Sequence, residues 1–323
     1  MKIADNYKKI NDLISKSSSV FVTAHKGLDL DALGGCLGMY NYTIHRGKST
    51  YVVVDDKYSE AAVSKVMKQL SSKISIINST KAIKLKNESS LLIIVDTNKK
   101  YLLQNSNLAD AFSNKLIIDH HGEGEGTIDD AKLMIIDSFA SSTCEIITEF
   151  LKLNDFKIDS YLATILLSGI VLDTCNYVLK TSSNTFYYSY YLSTCGANNN
   201  QVQYLLKQDL KKYIKRQKMI TNVKIINNIA ITKAVPNDVY RPEELAKTAD
   251  TLLLFNNIEA SFVIANVDKK TIGISARSLG NIKVGQVLGL LGGGGDNHEA
   301  ASKIQGSSLS KVEKDLLNII KLL

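Results

Sequence analysis

The sequence predicts an α/β protein of two domains: a parallel-sheet N-terminal domain with flanking helices, and a smaller α/β C-terminal domain. Three observations lead there. Leu91–Val95 (LLIIV) and Lys115–Ile118 (KLII) are unbroken apolar runs, the pattern of strands covered on both faces. Such runs alternate with stretches of helical periodicity, as βαβ units of a parallel sheet do. Near residue 200 the composition shifts from apolar to charged, and the pattern beyond it changes.

Taken in order, residues 6–16 predict a helix leading into a strand over Ser19–Ala24, where the β-branched run Val20-Phe21-Val22 lies. A helix follows from Asp31 to about Ile44, with Leu33, Leu37 and Tyr40 at helical spacing. Tyr51–Val54 predicts a short strand ending in Asp55-Asp56, Ser59–Leu70 a helix, and Lys73–Ile77 a strand. After the two apolar runs come helices over Ser141–Lys152, Ser160–Leu172 and the tyrosine-rich Thr181–Gly196. Gln201–Ile220, which contains KQDLKKYIKRQK, predicts one long polar helix connecting the domains. Val223–Lys233 then predicts a strand, and Ile258–Ile274 a hairpin around Asp268-Lys269-Lys270. Pro242 stands near the start of a helix over Glu243–Phe255, a tolerated place for proline. Lys283–Leu291 is a short helix before Gly292–Gly295, and Leu309–Leu323 an amphipathic terminal helix. The expected organisation is thus a domain over 1–200, a helical connector over 201–222 and a second domain over 223–323.

At 323 residues and 45% apolar content the chain can bury well-packed cores, which excludes wholesale disorder. No run reaches the roughly 20 apolar residues that span a bilayer, and the N-terminus lacks the apolar stretch of a signal peptide. The expectation is a soluble, cytoplasmic protein with no membrane segment. Four widely spaced cysteines form no C-x-x-C pair, against a zinc ribbon or a redox motif. The net charge of +7 fits a polyanionic substrate without demanding one. No Lys/Arg stripe marks one helix face, so long duplex nucleic acid is not an expected partner.

Chemistry gathers at the ends of the apolar runs. His25, Asp29 and Asp31 follow the first strand, Asp96 ends LLIIV, Asp119-His120-His121 ends KLII, and Asp173 ends Leu166–Leu172. Singly, each has an ordinary explanation: a turn, a helix cap or a strand end. Jointly they deliver carboxylates and imidazoles to one edge of an open α/β sheet, where ligands gather. Six or seven Asp/His groups without a thiolate suit Mn²⁺ or Mg²⁺, and the number suits two ions sharing a carboxylate. Such pairs hydrolyse phosphoesters.

In order, the His-x3-Asp-x-Asp segment, the VDT segment, the DHH triplet and the later Asp173 resemble the four motifs of the DHH phosphoesterases. The likeness covers nearly the whole chain. It continues through Ser275-Ala276-Arg277-Ser278 and the glycine run before Asp296-Asn297-His298, which resemble the DHH-associated C-terminal domain. HKGLDLDALGG, SFASSTCEIITEFL, GIVLDTCNYVLKTSSNTF and ISARSLG are most similar to the catalytic part of GdpP-type cyclic-di-AMP phosphodiesterases.

The resemblance implies roles. His25 and Asp29 hold one divalent ion, Asp96 bridges to a second, and Asp31, His120 and Asp173 complete it. Asp119 orients His120, and His121 faces the scissile phosphate. Arg277 clamps a distal phosphate, with Ser275, Gly293, Gly294, Gly295 and His298 as further substrate-binding groups, the glycines as a nest for an anion. The family more often places a histidine directly after the glycine run, where this chain has Asp296 and brings His298 two residues later. The implied function is a two-metal, Mn²⁺-dependent phosphodiesterase acting in a cleft between the domains. It would convert cyclic-di-AMP to linear pApA and onward to AMP. Alternatives within the superfamily are hydrolysis of short oligoribonucleotides or of 3′-phosphoadenosine-5′-phosphate; from another class, a non-catalytic nucleotide sensor. Family members often dimerise, so a homodimer is among the expected assemblies, though no feature of this sequence specifies one.

Overall fold

A computed structural model describes residues 2–55, 61–70 and 72–321. The chain forms two compact units, Met1–Lys207 and Gln208–Leu323.

The first unit runs α1 (Tyr7–Lys16), β1 (Ser19–Thr23), α2 (Leu30–His45), β2 (Ser49–Val53), α3 (Ala61–Leu70), β3 (Ile76–Ile77), α4 (Ser79–Leu85) and β4 (Leu91–Val95). It continues with α5 (Asn107–Ala111), β5 (Asn114–Asp119), β6 (Leu133–Ile136), α6 (Thr143–Leu153), α7 (Ser160–Asp173), α8 (Ser183–Thr194) and α9 (Asn199–Leu205). The strands form one sheet in the order β3-β2-β1-β4-β5-β6, parallel throughout. All five residues of β4 are buried. Leu91, Ile93 and Val95 enter one apolar core and Leu92 and Ile94 the other. Period-2 alternation under two covered faces is why that strand reads as a continuous apolar run.

The second unit comprises α10 (Leu210–Ile220), β7 (Lys224–Ile226), β8 (Ile229–Lys233), α11 (Pro242–Leu252), β9 (Ala260–Asn266), β10 (Thr271–Ser278), α12 (Val284–Gly289), β11 (Gly294–Gly295), β12 (Glu299–Gln305) and α13 (Leu309–Ile320). Its sheet has the order β11-β12-β10-β9-β8-β7. β8 and β9 pair in parallel; the other neighbours are antiparallel. The hairpin expected around Asp268 is β9–β10, its turn closed by Asp268 Oδ1, which accepts from the Lys270 and Thr271 amides at 2.7 and 2.8 Å.

Several elements depart from expectation for local reasons. Lys73 and Ile74 are not strand, because both amides donate back to the Leu70 carbonyl at the end of α3. The single strand expected over Val223–Lys233 is the hairpin β7–β8. Asn227 and Asn228 adopt φ of +46° and +63° there, the left-handed pair a tight two-residue turn requires. The long polar connector is two helices, α9 and α10, because the Asp209 side chain accepts from the Lys212 amide and caps a new helix. The boundary between the units falls between them, after Lys207. α4, α5, β6, β11 and β12 have no counterpart in the expected list. Asp56, Ser59, Glu60, Leu322 and Leu323, parts of expected elements, lie outside the described residues. Among the described residues no helix is long and apolar enough to cross a membrane.

Candidate metal centre

The strand order of the first sheet reverses between β1 and β4. Crossover connections leave in opposite directions there, opening a crevice at the carboxyl ends of the strands. The sequence puts its ionisable residues at that edge. His25 follows β1, Asp96 follows β4, and Asp119 ends β5. Asp29 and Asp31 open α2, and Asp173 closes α7.

The side chains converge as three overlapping groups. His25, Asp29 and Asp96 offer ligand atoms within 4.8 Å of one another, as do Asp31, His120 and Asp173, and Asp96, His120 and His121. Asp96 joins them: Oδ2 lies 3.2 Å from His25 Nε2 and Oδ1 lies 3.4 Å from His120 Nε2. His120 Nε2 is also 3.2 Å from Asp173 Oδ2 and 3.9 Å from Asp31 Oδ2. His25 Nδ1 sits 2.9 Å from the Lys26 carbonyl. A carbonyl only accepts, so Nδ1 carries the proton and Nε2 is left facing the carboxylates, the arrangement of a metal-binding imidazole.

Two helix starts complete the frame. Asp29 caps α2, its Oδ1 accepting from the Asp31 and Ala32 amides at 3.0 and 2.9 Å. Asp31 is fully buried and accepts from the Thr143 and Cys144 amides, both at 2.8 Å. The first amides of α6 thus meet a carboxylate, favoured by the helix dipole. Thr143 Oγ1 donates to Asp96 Oδ1 at 3.0 Å.

The electrostatics fit a cation. Burial raises Asp31 well above the usual carboxylate range, and Asp96 and Asp173 add to it. Burial likewise brings Asp29 up to about 7 against the opposing pull of His25. Burial works against charge on His25 too, but Asp96 and Asp29 outweigh it and push its pKa up to about 10. At Asp96 burial acts upward, yet His120 and His25 hold the carboxyl well below its ordinary value. His120 Nε2 is buried and makes no hydrogen bond. An imidazole nitrogen left so among three carboxylates is costly unless a proton or a metal cation sits between them. Burial opposes charge on His120, yet Asp173 and Asp96 accordingly raise its pKa well above the ordinary value. A hard, oxygen-rich donor set with two imidazoles suits Mn²⁺ or Mg²⁺.

Asp119 serves a different neighbour from the one expected. Its Oδ1 accepts from the His121 amide at 3.0 Å and lies 2.9 Å from His121 Nδ1, so it orients His121 instead of His120. The cause is local: an Asp side chain two residues upstream reaches back to the His121 backbone as an Asx turn. Asp119 Oδ2 accepts from Asn98 Nδ2 at 2.7 Å, and the same amide group donates to the His121 carbonyl at 2.9 Å. His121 is half-exposed. Burial and His120 oppose its protonation, but Asp119 and Asp96 carry its pKa above the ordinary value. Asn98 has no counterpart among the expected site residues, since an Asn near a strand end carries no distinguishing signal. Ser141-Ser142-Thr143 reads in the sequence as a helix start able to cap or to donate to phosphate; in the structure Thr143 donates to Asp31 and Asp96.

Strain is concentrated here. Asp96 has φ +58°, and Cys175, Asn176 and Tyr177, starting two positions after Asp173, have +48°, +60° and +64°. Cys175 and Tyr177 each cost about 1–2 kcal/mol; Asp96 and Asn176 are of the types that tolerate this region. Thr174 holds the turn: its carbonyl accepts from Val178 and Leu179, and its hydroxyl accepts from the Tyr177 amide. The Tyr177 ring stacks on Phe186, centroids 5.6 Å apart and planes 21° from parallel. That pair contributes about 0.5–1.5 kcal/mol, less than the strain.

Close packing sets the position of Asp31. A Cβ at Gly169 of α7 would lie 2.5 Å from Cys144 Sγ and 2.9 Å from both Asp31 Cα and Oδ1. In an open helix Gly→Ala gains about 1 kcal/mol. Here the obstacles include backbone, so overpacking of about 1–3 kcal/mol prevails. Gly169→Ala is expected to lower the midpoint of thermal unfolding, and an unchanged or higher midpoint would contradict the close α2–α6–α7 contact.

The remaining expected residues lie in the second unit. Ser275 and Arg277 are on β10, and Ser275 and Gly294 both pair with Ala301 of β12. Arg277 Nε donates to Asp250 Oδ1 at 2.8 Å, Nη1 to the Ala276 carbonyl at 3.0 Å, and Nη2 lies 3.6 Å from Glu299 Oε2. His298 Nδ1 is 3.3 Å from the Ser278 carbonyl. The glycine run is not an open nest. Gly292 and Gly293 donate to the Gly289 and Leu288 carbonyls, and Gly294 and Gly295 pair with β12. A Cβ at Gly293 would stand 2.3 Å from the Ala301 carbonyl oxygen, so glycine is required there by strand packing.

Comparison with known proteins places this arrangement. Residues 19–170 match the DHH family, N-terminal domain, and residues 207–323 the DHHA1 domain. Over 318 residues, 96% of this chain, the sequence is 35% identical to 48% of the cyclic-di-AMP phosphodiesterase PdeA of Listeria monocytogenes. It is 33% identical over 320 residues to 49% of the cyclic-di-AMP phosphodiesterase GdpP of Bacillus subtilis, again with 96% of this chain covered. The chain therefore spans about half the length of the curated relatives it matches. Its fold is similar to the crystal structure of an exopolyphosphatase-related protein from Bacteroides fragilis. The TM-score is 0.80 at 19% identity, covering 99% of this chain and 97% of the other.

Proposed function

Because the chain belongs to the DHH family, with a DHH N-terminal domain followed by a DHHA1 domain, we propose that it is a metal-dependent phosphodiesterase of a small nucleotide. The first substrate is cyclic-di-AMP, opened to linear pApA and carried onward to AMP. One observation supports the reading above the others: His120 Nε2, buried and without a hydrogen bond, stands among Asp31, Asp96 and Asp173. The relatives matched over 96% of the chain support cyclic-di-AMP as the substrate to test first.

The reading assigns His25, Asp29 and Asp96 to one divalent cation and Asp96, Asp31, His120 and Asp173 to a second, with Mn²⁺ the first to test and Mg²⁺ next. Such ions lower the pKa of water and stabilise charge on a leaving oxygen. The chain's own residues do the rest. Asp119 and Asn98 fix the His121 ring, which as the imidazolium donates its Nε2–H to the phosphate as negative charge develops. Thr143 and the first amides of α6 keep Asp96 and Asp31 in place. In the second unit, Arg277, oriented by Asp250, binds a distal phosphate, with Ser275 and His298 as further ligand contacts. A degenerate nucleotide sensor has no need of a full ligand set, which favours the enzyme.

Product analysis tests this. Purified protein with Mn²⁺ is offered cyclic-di-AMP, linear pApA, short RNA and 3′-phosphoadenosine-5′-phosphate in parallel, with a chelator control. Chelator-sensitive cleavage fastest on cyclic-di-AMP is expected. Preference for a linear dinucleotide, RNA or the bisphosphate would move the substrate while keeping the metal centre. Tight binding without turnover would replace the enzyme by a sensor.

A further inference from the structure

We propose that the Tyr177–Phe186 pair is a stacking platform for one base of the substrate, beside the metal centre and within the first unit; this rests on the nucleotide reading above. Three observations meet there. The rings are already stacked; Tyr177 packs against the first apolar core while Phe186 remains 59% exposed, so the core backs a pair whose outer ring is offered to solvent. Tyr177 is reached by three consecutive left-handed residues starting two positions after Asp173, a strain larger than the ring pair returns. Strain of this kind persists where a functional position is over-determined.

The platform is also tied to the ligands by buried contacts. Thr185, the neighbour of Phe186, donates its hydroxyl to Glu145 Oε2 at 2.8 Å. The same carboxylate oxygen accepts from the Ser141 hydroxyl and amide. Glu145 is two residues beyond Thr143, whose amide and hydroxyl hold Asp31 and Asp96. The start of α8 therefore rests against the first turn of α6, where the groups of metal-centre residues join. Tyr177 is four residues from Asp173, within about 15 Å by chain length alone. A base has a π-face whatever its identity, so two stacked rings recognise a nucleotide without reading its sequence.

The test is steady-state kinetics on cyclic-di-AMP with Mn²⁺, comparing the parent with Phe186→Ala, Phe186→Leu and Tyr177→Ala. Tyr190→Ala, altering another exposed ring one turn further along α8, is the control. Phe186→Ala and Tyr177→Ala are expected to raise KM about 10-fold with kcat changed less than about twofold, and thermal unfolding confirms that each folds. Phe186→Leu should share the loss, since it keeps apolar bulk without a π-face; a normal KM in that variant would overturn stacking. Unchanged KM in all of them, with an active parent, overturns the platform alone. A parent that neither binds nor cleaves the nucleotide overturns the proposed function and the platform together.

Discussion

Asp96→Asn is expected to lower Mn²⁺-supported kcat/KM on cyclic-di-AMP by about 10³-fold or more, a loss of about 4 kcal/mol of transition-state stabilisation, while the protein still folds. Asp96 is the one carboxylate shared by two of the groups, facing His25 through Oδ2 and His120 through Oδ1. The substitution keeps shape and removes charge. It is also mild for the backbone, because φ at this position is +58° and Asn tolerates the left-handed region well. Thr143 Oγ1 retains an acceptor in the Asn side chain if the amide oxygen occupies the Oδ1 position. The measurements are turnover against Mn²⁺ concentration and thermal unfolding of the same preparation. Turnover near the parent's would remove the shared-carboxylate assignment. Loss of activity together with loss of folding would place Asp96 among structural residues.

Mn²⁺ added to chelator-treated protein is expected to raise Tm, and to raise it more at pH 8 than at pH 5.5. Two groups define the window for the metal-free chain. Asp29 is raised to about 7, so its native state binds more protons than the unfolded chain between about pH 4 and 7. His25 is raised to about 10, with the same sense from about pH 6.5 upward. Both contributions are present at low pH and fade as pH rises through the folded-state values. The metal-free protein therefore loses stability from these groups as the medium becomes alkaline. A divalent cation replaces the protons, so its binding strengthens in the same direction. At a metal concentration about 1,000-fold above Kd, linkage supplies about 4 kcal/mol. With about 2–4 °C per kcal/mol for a unit of this size, the shift is about 10 °C. Differential scanning fluorimetry across pH with and without Mn²⁺ reads it. A shift that is absent, or that shrinks as pH rises, would show that these carboxylates and imidazoles hold no cation.

Much of this was legible in the sequence because the features concerned are periodic or local. LLIIV reads as a doubly covered strand since alternate residues enter two cores. His25, Asp96 and Asp119 read as strand-end residues since the apolar runs stop directly before them. Where a polar group competes locally for the backbone, expectation failed. The Asp209 cap divides one expected helix into two, and two left-handed asparagines turn one strand into a hairpin. β6 is only four residues long, and α5 five, too short for periodicity to register.

By itself, then, the sequence determined the long buried strands and the main helices of the first unit and the residue types delivered to the sheet edge. Each follows from burial pattern and chain order. Which side chain serves which neighbour was decided only by tertiary structure. That Asp119 holds His121, that Asn98 braces them, and that α6 presents its first amides to Asp31 all depend on contacts at the hydrogen-bond scale. Periodicity specifies a face and an end to within a turn, about 5 Å, whereas a hydrogen bond is made or lost over a few tenths of an ångström. The strained turn that carries Tyr177 to Phe186 belongs to the same class. No local preference favours three left-handed residues in succession, so only the packed fold holds them there.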